Sequence, residues 1–461
     1  MFVVGGCVRN LLLGMPPEDL DFVIGRHPLA KKLIRDLSEE IGAQVVHITE
    51  GEEVFYLITD EGRFDISFLK ERYIRDDLRR RDFTVNAIAV GLKWNGFPVG
   101  MKDIIDSTSG LADLKKRWIR TAKPQNFDDD PMRMIRAFRF QQYLHGKMTP
   151  ATFKAIKDRA ELTEEFRGAR FRREFFHILA HRGASGSLRM MAKAGVLQRL
   201  FPAIENLIGL EQNGYHHLDA WEETLEAIDQ FEFIYHEGLD LRERHFSSIR
   251  DHLSGEIVTG RKRYACAKLA LMLHAIGKPE VKATDRNDEP SYPGYEKKSA
   301  WMVTEQLERL ELSKREESYV KSLVKNHMRP GFMNLGSATF ASSLEKFARQ
   351  MDFNALDVGA LAYSVSLAAQ GDRVPVDVHP RHRSIFMRII DFLFFPGERE
   401  LQPQQLLSGK EIAELTGLDD PPMVRLLANR LQEMQVEGEI AEKKAAEEFV
   451  LKEQQIISAH K

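Results

Sequence analysis

The stretch GGCVRNLLLGMPPEDLDFVIG, residues 5–25, decides how the N-terminal part of this chain is interpreted. Two glycines precede a short apolar run, and a loop with two prolines leads into Asp19-Leu20-Asp21. Residues i and i+2 of a strand point to the same face, so Asp19 and Asp21 are predicted to project together. Two adjacent carboxylates repel each other and are costly to desolvate unless a cation neutralises them.

The two glycines add a second half to this pattern. Gly5 and Gly6 precede a helix that is predicted to start near Val8, and a close backbone approach at a positive helix end can cradle a phosphate. Carboxylate oxygens suit Mg²⁺, and two metal ions can share one carboxylate. Either feature alone is more often a glycine turn or an acidic surface strand. Together they predict a metal and triphosphate site with Asp19 and Asp21 as catalytic residues and metal ligands.

Composition limits the classes of protein to which the chain can belong. Its 461 residues, 43% hydrophobic and 29% charged, are typical of a globular protein with several domains. No apolar run is long enough to span a membrane, and the N-terminus lacks a secretory signal. The two cysteines, Cys7 and Cys266, argue against a disulfide scaffold and fit a cytoplasmic location. With a net charge of −3, any nucleic-acid-binding surface must be concentrated on one face.

The periodicity of apolar residues changes near residue 118. Before it lie the strand-like segments FVVGG, DFVIG, VFYLIT, RFDISFL and FTVNAIAVGL. After it, segments such as DPMRMIRAFRFQQYL and REFFHILAHR have helical spacing. The predicted fold class is α+β, a small mixed α/β head followed by an elongated all-helical neck, body and tail. The predicted boundaries are 1–117 for the head, 118–204 for the neck, 205–372 for the body and 373–461 for the tail.

Four further sequence blocks follow the first one. They are Arg80 to Ala87 (RRDFTVNA), Asp106 to Arg120, Asp129 to Arg133 (DDPMR) and Arg167 to Glu174. Together with the first block they resemble the motif set of the class II bacterial tRNA nucleotidyltransferase and poly(A) polymerase family, which has a polymerase-β-like head. The resemblance covers roughly residues 3–200. It implies a catalytic nucleotidyltransferase head, a neck that recognises the nucleotide base and a tail that binds RNA.

The RRDFTVNA block carries groups that suit a ribonucleotide. Arg80 and Arg81 offer guanidinium forks for phosphate, and Asp82 offers a carboxylate for a ribose hydroxyl. Such a charged run on its own is usually solvated surface. The resemblance implies that this block selects ribonucleotides over deoxyribonucleotides. The nucleotide- and triphosphate-binding residues are then Gly5, Gly6, Arg9, Arg80, Arg81, Asp82 and Asn86.

Asp130 and Arg133 are the predicted base-reading pair. Their i, i+3 spacing places both on one face of the predicted helix. A carboxylate and a guanidinium can accept from an amino group and donate to a ring nitrogen or carbonyl on a base edge. A helix-surface ion pair has the same spacing, so spacing leaves both interpretations open. The resemblance implies that the pair, with Arg136 as a third base-recognition residue, reads CTP or ATP without a nucleic-acid template.

Two positions depart from the family pattern, and neither removes a catalytic group. Asn10 follows Arg9 where the family usually has Asp, and Asp129 stands where it has Glu. Asp65, in the strand segment RFDIS, is a weaker candidate for a third carboxylate of the site, because strand aspartates that face solvent are commonplace.

Two later segments, HHLDAWEETL (216–225) and LMLHAIGKP (271–279), resemble an HD phosphohydrolase domain. Ala275 stands where such a domain has a ligating Asp, and Glu223 stands where it usually has His. An alanine cannot ligate a metal, so this region is predicted to be an inert helical scaffold. The remnant ligands are then His217, Asp219, His274 and His327.

The basic stretch RGARFRREFFHILAHR, residues 167–182, is the predicted contact with the RNA backbone. Clustered guanidinium groups bind phosphates without reading sequence. The candidates are Arg167, Arg170, Arg172 and Arg173. An alternative use for some of them is to hold the neck helices or to touch the triphosphate. The tail is assigned to the body of the acceptor RNA, so that acceptor end and elbow of a tRNA are both contacted.

The resemblance implies Mg²⁺-dependent, template-independent transfer of a nucleotide from CTP or ATP to the 3′ end of tRNA, with release of pyrophosphate. Two other classes are weaker. A metal-dependent HD phosphohydrolase is disfavoured by Ala275, and a catalytically dead RNA-binding protein is disfavoured by the intact Asp19 and Asp21. CC addition, CCA addition, A addition and poly(A) tailing are the alternatives within the leading class.

The interval SFLKERYIRDDL, residues 67–78, bears on that choice. In family members that add the terminal A, a flexible loop precedes the RRDFT block and helps the template residues to switch from C to A. Here the interval is short and leaves little freedom for a lever. The resemblance therefore implies a CC-adding enzyme, with a separate A-adding enzyme in the same cell. The alternative is a trimmed loop in an enzyme that adds the full CCA.

Overall fold

The computed structural model describes residues 1–17, 19–48, 54–60, 62–92, 103–239, 241–335, 339–395, 406–436 and 439–459. The chain forms two compact units. The head unit comprises Met1–Phe166 with Met190–Arg199, and the body unit comprises Arg167–Arg189 with Leu200–Lys461. This division is coarser than the four predicted segments, whose boundaries stay predictions. Across the described ranges, no helix combines the length and the apolarity needed to cross a membrane.

A seven-stranded sheet organises the described part of the head unit. Its strands are β1 (Phe2–Val4), β2 (Leu20–Ile24), β3 (Gln44–Ile48), β4 (Val54–Thr59), β5 (Gly62–Phe68), β6 (Ile88–Gly91) and β7 (Ile104–Asp106). Their order is β3-β4-β5-β2-β1-β6-β7. The β2–β5 pair is parallel, and the other neighbours are antiparallel. Each of the five predicted strand segments contains a strand, whereas β3 and β7 were not predicted.

The head unit also contains short helices that cover the sheet and extend beyond it. They are α1 (Gly6–Leu12), α2 (Ala30–Glu40), α3 (Ile74–Arg79), α4 (Gly110–Lys116), α5 (Asn126–Asp129), α6 (Arg133–Tyr143) and α7 (Pro150–Lys157). Strands β8 (Trp118–Ile119) and β9 (Lys147–Met148) form a small parallel pair. Buried apolar side chains from β1, β2 and α3, among them Val4, Val23 and Leu78, form the core that fixes the central strands.

The body unit is mainly helical, as predicted. Its helices are α8 (Gly168–Ala180), α9 (Ala184–Lys193, shared with the head unit), α10 (Val196–Leu200, also shared), α11 (Ala220–Glu237), α12 (Glu243–Ser254), α13 (Arg263–Leu273), α14 (Tyr295–Leu307), α15 (Lys314–Asn326), α16 (Phe340–Met351), α17 (Asn354–Ala368), α18 (Val378–Phe394), α19 (Gly409–Thr416), α20 (Pro421–Val436) and α21 (Lys443–Ala459). Two short hairpins are formed by β10 (Glu256–Val258) with β11 (Arg261–Lys262), and by β12 (Ala283–Thr284) with β13 (Pro290–Ser291).

Two helices of the body unit are apolar on nearly every side. In α13 and α17 most residues are buried, including Leu271 and Leu361. A helix that is apolar all round lies inside a domain, and α17 packs against α11, α18 and α15. The last three helices, α19 to α21, have a small core of their own around Ile412, Leu427 and Val450.

Candidate functional site

Three carboxylates lie near one another in the head unit, around the start of β2 and the middle of β5. Asp21 in β2 lies directly opposite Asp65 in β5, because these two parallel strands pair in that register. Asp19 lies just before β2, which begins at Leu20, so the prediction that both Asp19 and Asp21 are strand residues was wrong for Asp19. Asp65, the weaker candidate from sequence, is thus a full neighbour of Asp21.

An arginine links two of these carboxylates. The Arg63 guanidinium donates from Nε to Asp65 Oδ1 at 2.7 Å and from Nη2 to Asp65 Oδ2 at 3.0 Å. The same Nη2 donates to Asp19 Oδ2 at 2.8 Å. Arg63 was not predicted, although its position two residues before Asp65 on the same strand places both on one face.

Asp21 is the most enclosed carboxylate of the three. The pKa of Asp21 is raised to about 6, chiefly by burial; Arg81 opposes this effect, and the charges of Asp65 and Asp19 add to it. Gly5 lies against the same groups and has a φ of +74°. A Cβ on Gly5 would stand 3.0 Å from Arg81 Nη1 and 3.2 Å from Asp21 Oδ2. The glycine therefore allows the first and second sequence blocks to meet.

The donor chemistry of this cluster fits a hard divalent cation. Its ligand atoms are carboxylate oxygens, and Asp21 has a raised pKa because it is buried beside two further carboxylates, a setting in which a bound cation would favour its ionised form. In the described part of the chain, no three acidic, histidine or cysteine side chains converge closely enough to hold one metal ion. In the head cluster, Asp19 and Asp65 turn toward Arg63.

Asp82 lies at the centre of a buried polar network. Its Oδ1 accepts from its neighbour's backbone N–H at Phe83, 2.8 Å, and from Asn86 Nδ2, 3.1 Å, while Arg136 Nη2 lies 2.7 Å from Oδ2. Burial alone would raise the pKa of Asp82, but Arg136 and the hydrogen bonds outweigh it and hold the pKa below its usual range. The structure thus joins a predicted ribose-binding residue to a predicted base-recognition residue.

Arg9 extends this network and is itself buried, with 6% exposure. Its Nη1 donates to Asn86 Oδ1 at 2.7 Å, and its Nε and Nη2 both donate to Asn10 Oδ1. Asn10 therefore receives the guanidinium at the position where the family usually has Asp. The guanidinium of Arg9 is buried, so its accessibility does not support the predicted role in binding the triphosphate. Its contacts instead orient Asn86.

The predicted base-reading pair is only partly helical. Helix α6 begins at Arg133, and Asp130 has extended backbone angles in the turn before it. The expectation that both residues lie on one helix was therefore wrong. The side chains still face each other, with Arg133 Nε 3.8 Å from Asp130 Oδ2, and Arg136 follows one turn later. Asp130 Oδ1 also accepts from the Met132 backbone N–H, which fixes the turn.

The connection between β5 and α3 is short and anchored at both ends. It consists of Leu69–Tyr73. The Leu69 N–H donates to the Ile24 carbonyl at 2.8 Å, and the Lys70 N–H donates to Asp77 Oδ1 at 3.1 Å. Arg80, one of the predicted phosphate-binding residues, is paired with Glu71 of this connection at 2.7 Å.

The third sequence block has a structural role. Asp106 accepts from the backbone N–H groups of Gly110 and Leu111 at the start of α4. Asp113 accepts from Thr84 Oγ1 at 2.7 Å and from Arg120 Nε at 2.9 Å. This block therefore helps to hold the RRDFTVNA block in place, through the hydrogen bond from Thr84 to Asp113.

Comparison with known proteins agrees with this geometry. Residues 1–120 match the poly A polymerase head domain family, and residues 147–208 match the probable RNA and SrmB-binding site of polymerase A. The A-adding tRNA nucleotidyltransferase of Deinococcus radiodurans is 28% identical over 97% of this chain and 94% of that protein. The CC-adding tRNA nucleotidyltransferase of Thermus thermophilus is 27% identical over 98% of this chain and 93% of that protein.

The head of the chain belongs to the poly A polymerase head domain family, and tRNA nucleotidyltransferases resemble the chain over nearly its whole length.

A solved structure shares the fold of this chain. The Thermotoga maritima CCA-adding enzyme, solved in complex with tRNA, matches with a TM-score of 0.55 and 20% identity, over 98% of this chain and 91% of that chain. The match of the head domain and the two relatives that cover nearly the whole chain support a nucleotidyltransferase of the type that acts on tRNA, and such enzymes generally use a divalent metal. The relatives include A-adding, CC-adding and CCA-adding enzymes, so they do not select among these activities.

In the HD-like cluster of the body unit, side chains pair with one another. Lys278 is buried, and its Nζ donates to Gln212 Oε1 and lies 3.8 Å from Glu223 Oε1. His216 also pairs with Glu223. Burial lowers the pKa of Lys278, while Glu223 opposes that effect. Neither His216 nor Lys278 was predicted as a member of this cluster, although Lys278 lies in the quoted segment LMLHAIGKP.

Of the four predicted remnant ligands, the structure shows two in contact with each other. His274 and His327 are buried with ring centroids 5.1 Å apart, and burial lowers the pKa of His327 to about 4. His217 is exposed, and Asp219 caps α11 by accepting from the Glu222 N–H. The structure brings His274 and His327 together, and the expectation that His217 and Asp219 belong to the same remnant site stays a prediction. A cavity of about 340 Å³ adjoins Glu223, Lys278 and His327.

The predicted RNA-contacting arginines of α8 differ in exposure. Arg172 is half-buried and donates to the backbone carbonyls of Leu310 and Glu311, which gives its guanidinium a structural task. Arg167, Arg170 and Arg173 are exposed. These three stay the better candidates for phosphate contacts.

Proposed function

We propose that this enzyme adds two cytidines to the 3′ end of tRNA, using CTP and Mg²⁺ and releasing pyrophosphate. The reaction is an in-line attack of the tRNA 3′-hydroxyl on the α-phosphate of CTP. Asp19 and Asp21 would hold Mg²⁺, with Asp65 as a third carboxylate in register with Asp21. Bound Mg²⁺ would activate the hydroxyl and neutralise charge on the triphosphate.

The other head residues have roles that follow from their contacts. Gly5 lets the backbone at the start of α1 approach Asp21 and Arg81 closely, and we assign Gly5, Gly6 and Arg81 to the triphosphate. Arg80 is exposed and becomes available when it leaves Glu71. The buried Asp82 carboxylate is held by Arg136 and Asn86, so it orients the base-reading side of the site.

Base selection is assigned to Asp130 and Arg133, with Arg136 as the link to Asp82. Asp130 and Arg133 face each other across 3.8 Å and are partly exposed, so both retain hydrogen-bonding capacity for a base edge. A pair held in one arrangement suits one base. Reading a second base would require the pair to be reoriented between additions.

The short connection Leu69–Tyr73 is the observation that carries the choice of CC addition. Its first residues are tied to Ile24 and Asp77, and the buried Leu69 and Ile74 anchor both of its ends in the core of the head unit. A connection of this length has no free segment that could push on the template residues. The proposed enzyme therefore stops after the second cytidine and leaves the final A to a separate enzyme.

The tRNA is proposed to lie along basic surface of the enzyme. Arg167, Arg170 and Arg173 are exposed on or just before one helix and are assigned to the phosphates of the acceptor end. The tail helices are assigned to the tRNA elbow. ATP is the alternative nucleotide partner, required if the terminal A is added as well.

The test is a tRNA that ends at its discriminator base, incubated with CTP and ATP together, followed by sequencing of the 3′ ends. We expect products that end in CC, with no further extension when ATP is raised. Products that end mainly in CCA would contradict the proposal, as would addition of A only to tRNA that already ends in CC. A matched reaction with a known CCA-adding enzyme controls for the quality of tRNA and nucleotides.

A further inference from the structure

Arg63 is the feature of the carboxylate cluster that the proposed chemistry leaves without a task. It is held by three hydrogen bonds to Asp19 and Asp65, in a bidentate arrangement on Asp65. An arginine fork on a carboxylate is stronger than an ordinary surface pair, and here a second carboxylate shares it. Arg63 therefore neutralises part of the negative charge that would otherwise accumulate beside Asp21.

The oxygen atoms that Arg63 occupies are among those that a metal ion would need. Both oxygens of Asp65 and Oδ2 of Asp19 accept from the guanidinium. A divalent cation bound to the same oxygens would be repelled by a guanidinium a few ångströms away. Metal binding and the Arg63 contacts are thus in competition for the same ligand atoms.

The surroundings of Arg63 allow it to leave. Its side chain is 42% exposed, and that of Asp19 is 43% exposed, so no core packing must be broken. The guanidinium also lies 5.0 Å from the ring centroid of Tyr56, on the neighbouring strand β4. A cation–π contact of this kind can keep the arginine at the rim of the site after it releases the carboxylates.

We propose that Arg63 is a built-in counter-ion of the catalytic carboxylates, which stabilises the metal-free head and must be displaced when the divalent metal binds. Arg63 then sets the metal concentration at which the enzyme becomes active. It acts through Asp19 and Asp65 and is a positioning residue. This inference rests on the proposed function, because it takes the carboxylates as metal ligands.

The test is Mn²⁺ binding to the full-length protein, measured from the free-ion signal in electron paramagnetic resonance. Replacing Arg63 by Ala removes the competitor, so we expect the Mn²⁺ dissociation constant to fall about tenfold, a shift consistent with losing a bidentate, shared ion pair. Arg63→Lys keeps the charge but loses the bidentate geometry, so its Mn²⁺ dissociation constant should lie between those of the wild type and Arg63→Ala. Arg159→Ala is the matched control, because Arg159 makes a similar bidentate pair with Asp128 away from the cluster.

Thermal unfolding gives a second measure that a purely structural arginine would not reproduce. In EDTA, Arg63→Ala should unfold a few degrees below the wild type, and added Mn²⁺ should remove that difference. Equal or weaker Mn²⁺ binding in Arg63→Ala, or an equal loss of stability with and without Mn²⁺, would overturn the proposal. A wild type that binds no Mn²⁺ in a manner sensitive to Asp21→Asn would overturn the proposed function as well.

Discussion

The carboxylate cluster of the head unit and the HD-like cluster of the body unit both contain a protein cation among groups that can ligate metal. In the head, the cation is the partly exposed guanidinium of Arg63, paired with Asp19 and Asp65. In the body, it is the buried ammonium of Lys278, beside Glu223. The guanidinium is open to solvent, which is why we propose that a metal ion can displace it, whereas the ammonium is enclosed by the body core.

Burial accounts for this difference. The side chains of Lys278 and Glu223 are 5% and 3% exposed, so removing either partner leaves an uncompensated charge in a low-dielectric site. His274 and His327 are likewise buried, and burial lowers the pKa of both, which keeps the imidazoles neutral. The body cluster has therefore become part of the core. The head cluster is open to solvent, as its proposed role in binding metal and nucleotide requires.

The largest effect that separates the two clusters is expected in nucleotide transfer. Asp21→Asn should reduce transfer by more than about a hundredfold, because a charged ligand of the metal is lost. His274→Ala should leave transfer by the folded protein unchanged. Both are measured as incorporation of CTP into tRNA, with circular dichroism as the control for folding. Substantial transfer by Asp21→Asn, or its loss in a folded His274→Ala, would break the comparison.

The next effect concerns the buried cation. Lys278→Met leaves Glu223 without its ammonium and should lower the free energy of unfolding by about 3 kcal/mol, as is usual for breaking a buried pair. The double variant Lys278→Met with Glu223→Gln should recover much of that loss. Urea denaturation of the wild type, Lys278→Met and the double variant measures these changes in the free energy of unfolding. If Lys278→Met is as stable as the wild type, the ammonium does not hold the body cluster together.

A pH-dependent effect is expected in the head. Burial raises the pKa of Asp21 to about 6, so its ionised form is disfavoured in the metal-free fold at neutral pH. Asp21→Asn should therefore be more stable than the wild type by about 3 kcal/mol above pH 6 in EDTA. The difference should shrink as the pH falls through 6 and vanish only below the unfolded pKa of about 4, where Asp21 is protonated in both the folded and unfolded states. A difference that is constant with pH would contradict the shifted pKa.

The smallest effect concerns the base. Asp130→Ala should weaken the discrimination of CTP from ATP, UTP and GTP by about 1–3 kcal/mol, while leaving triphosphate binding largely intact. The ratio of kcat/KM values for the four nucleotides measures this. Asp128→Ala is the control, because this exposed neighbour pairs with Arg159 instead of Arg133. Unchanged nucleotide preference in Asp130→Ala would remove the base-reading role.

Local sequence patterns determined a large part of this protein. The alternation of apolar residues located five of the seven strands in the described sheet, and helical spacing identified the body as mainly α. The motif set identified the family and brought Asp19, Asp21 and Asp82 forward as site residues. These features depend on neighbours in sequence or on side chains that a chemical task requires, so a single sequence carries them.

The tertiary structure alone decided which distant residues act on one another. The parallel register of β2 and β5 brought Asp65 to Asp21 and Arg63 to Asp19. The packing of helices in the body unit placed Lys278 beside Glu223, and the turn before α6 removed Asp130 from the predicted helix. These contacts depend on strand register and on burial, which arise when segments far apart in sequence pack together. Local periodicity indicates which face of a segment is buried but does not specify which segments pair or pack together.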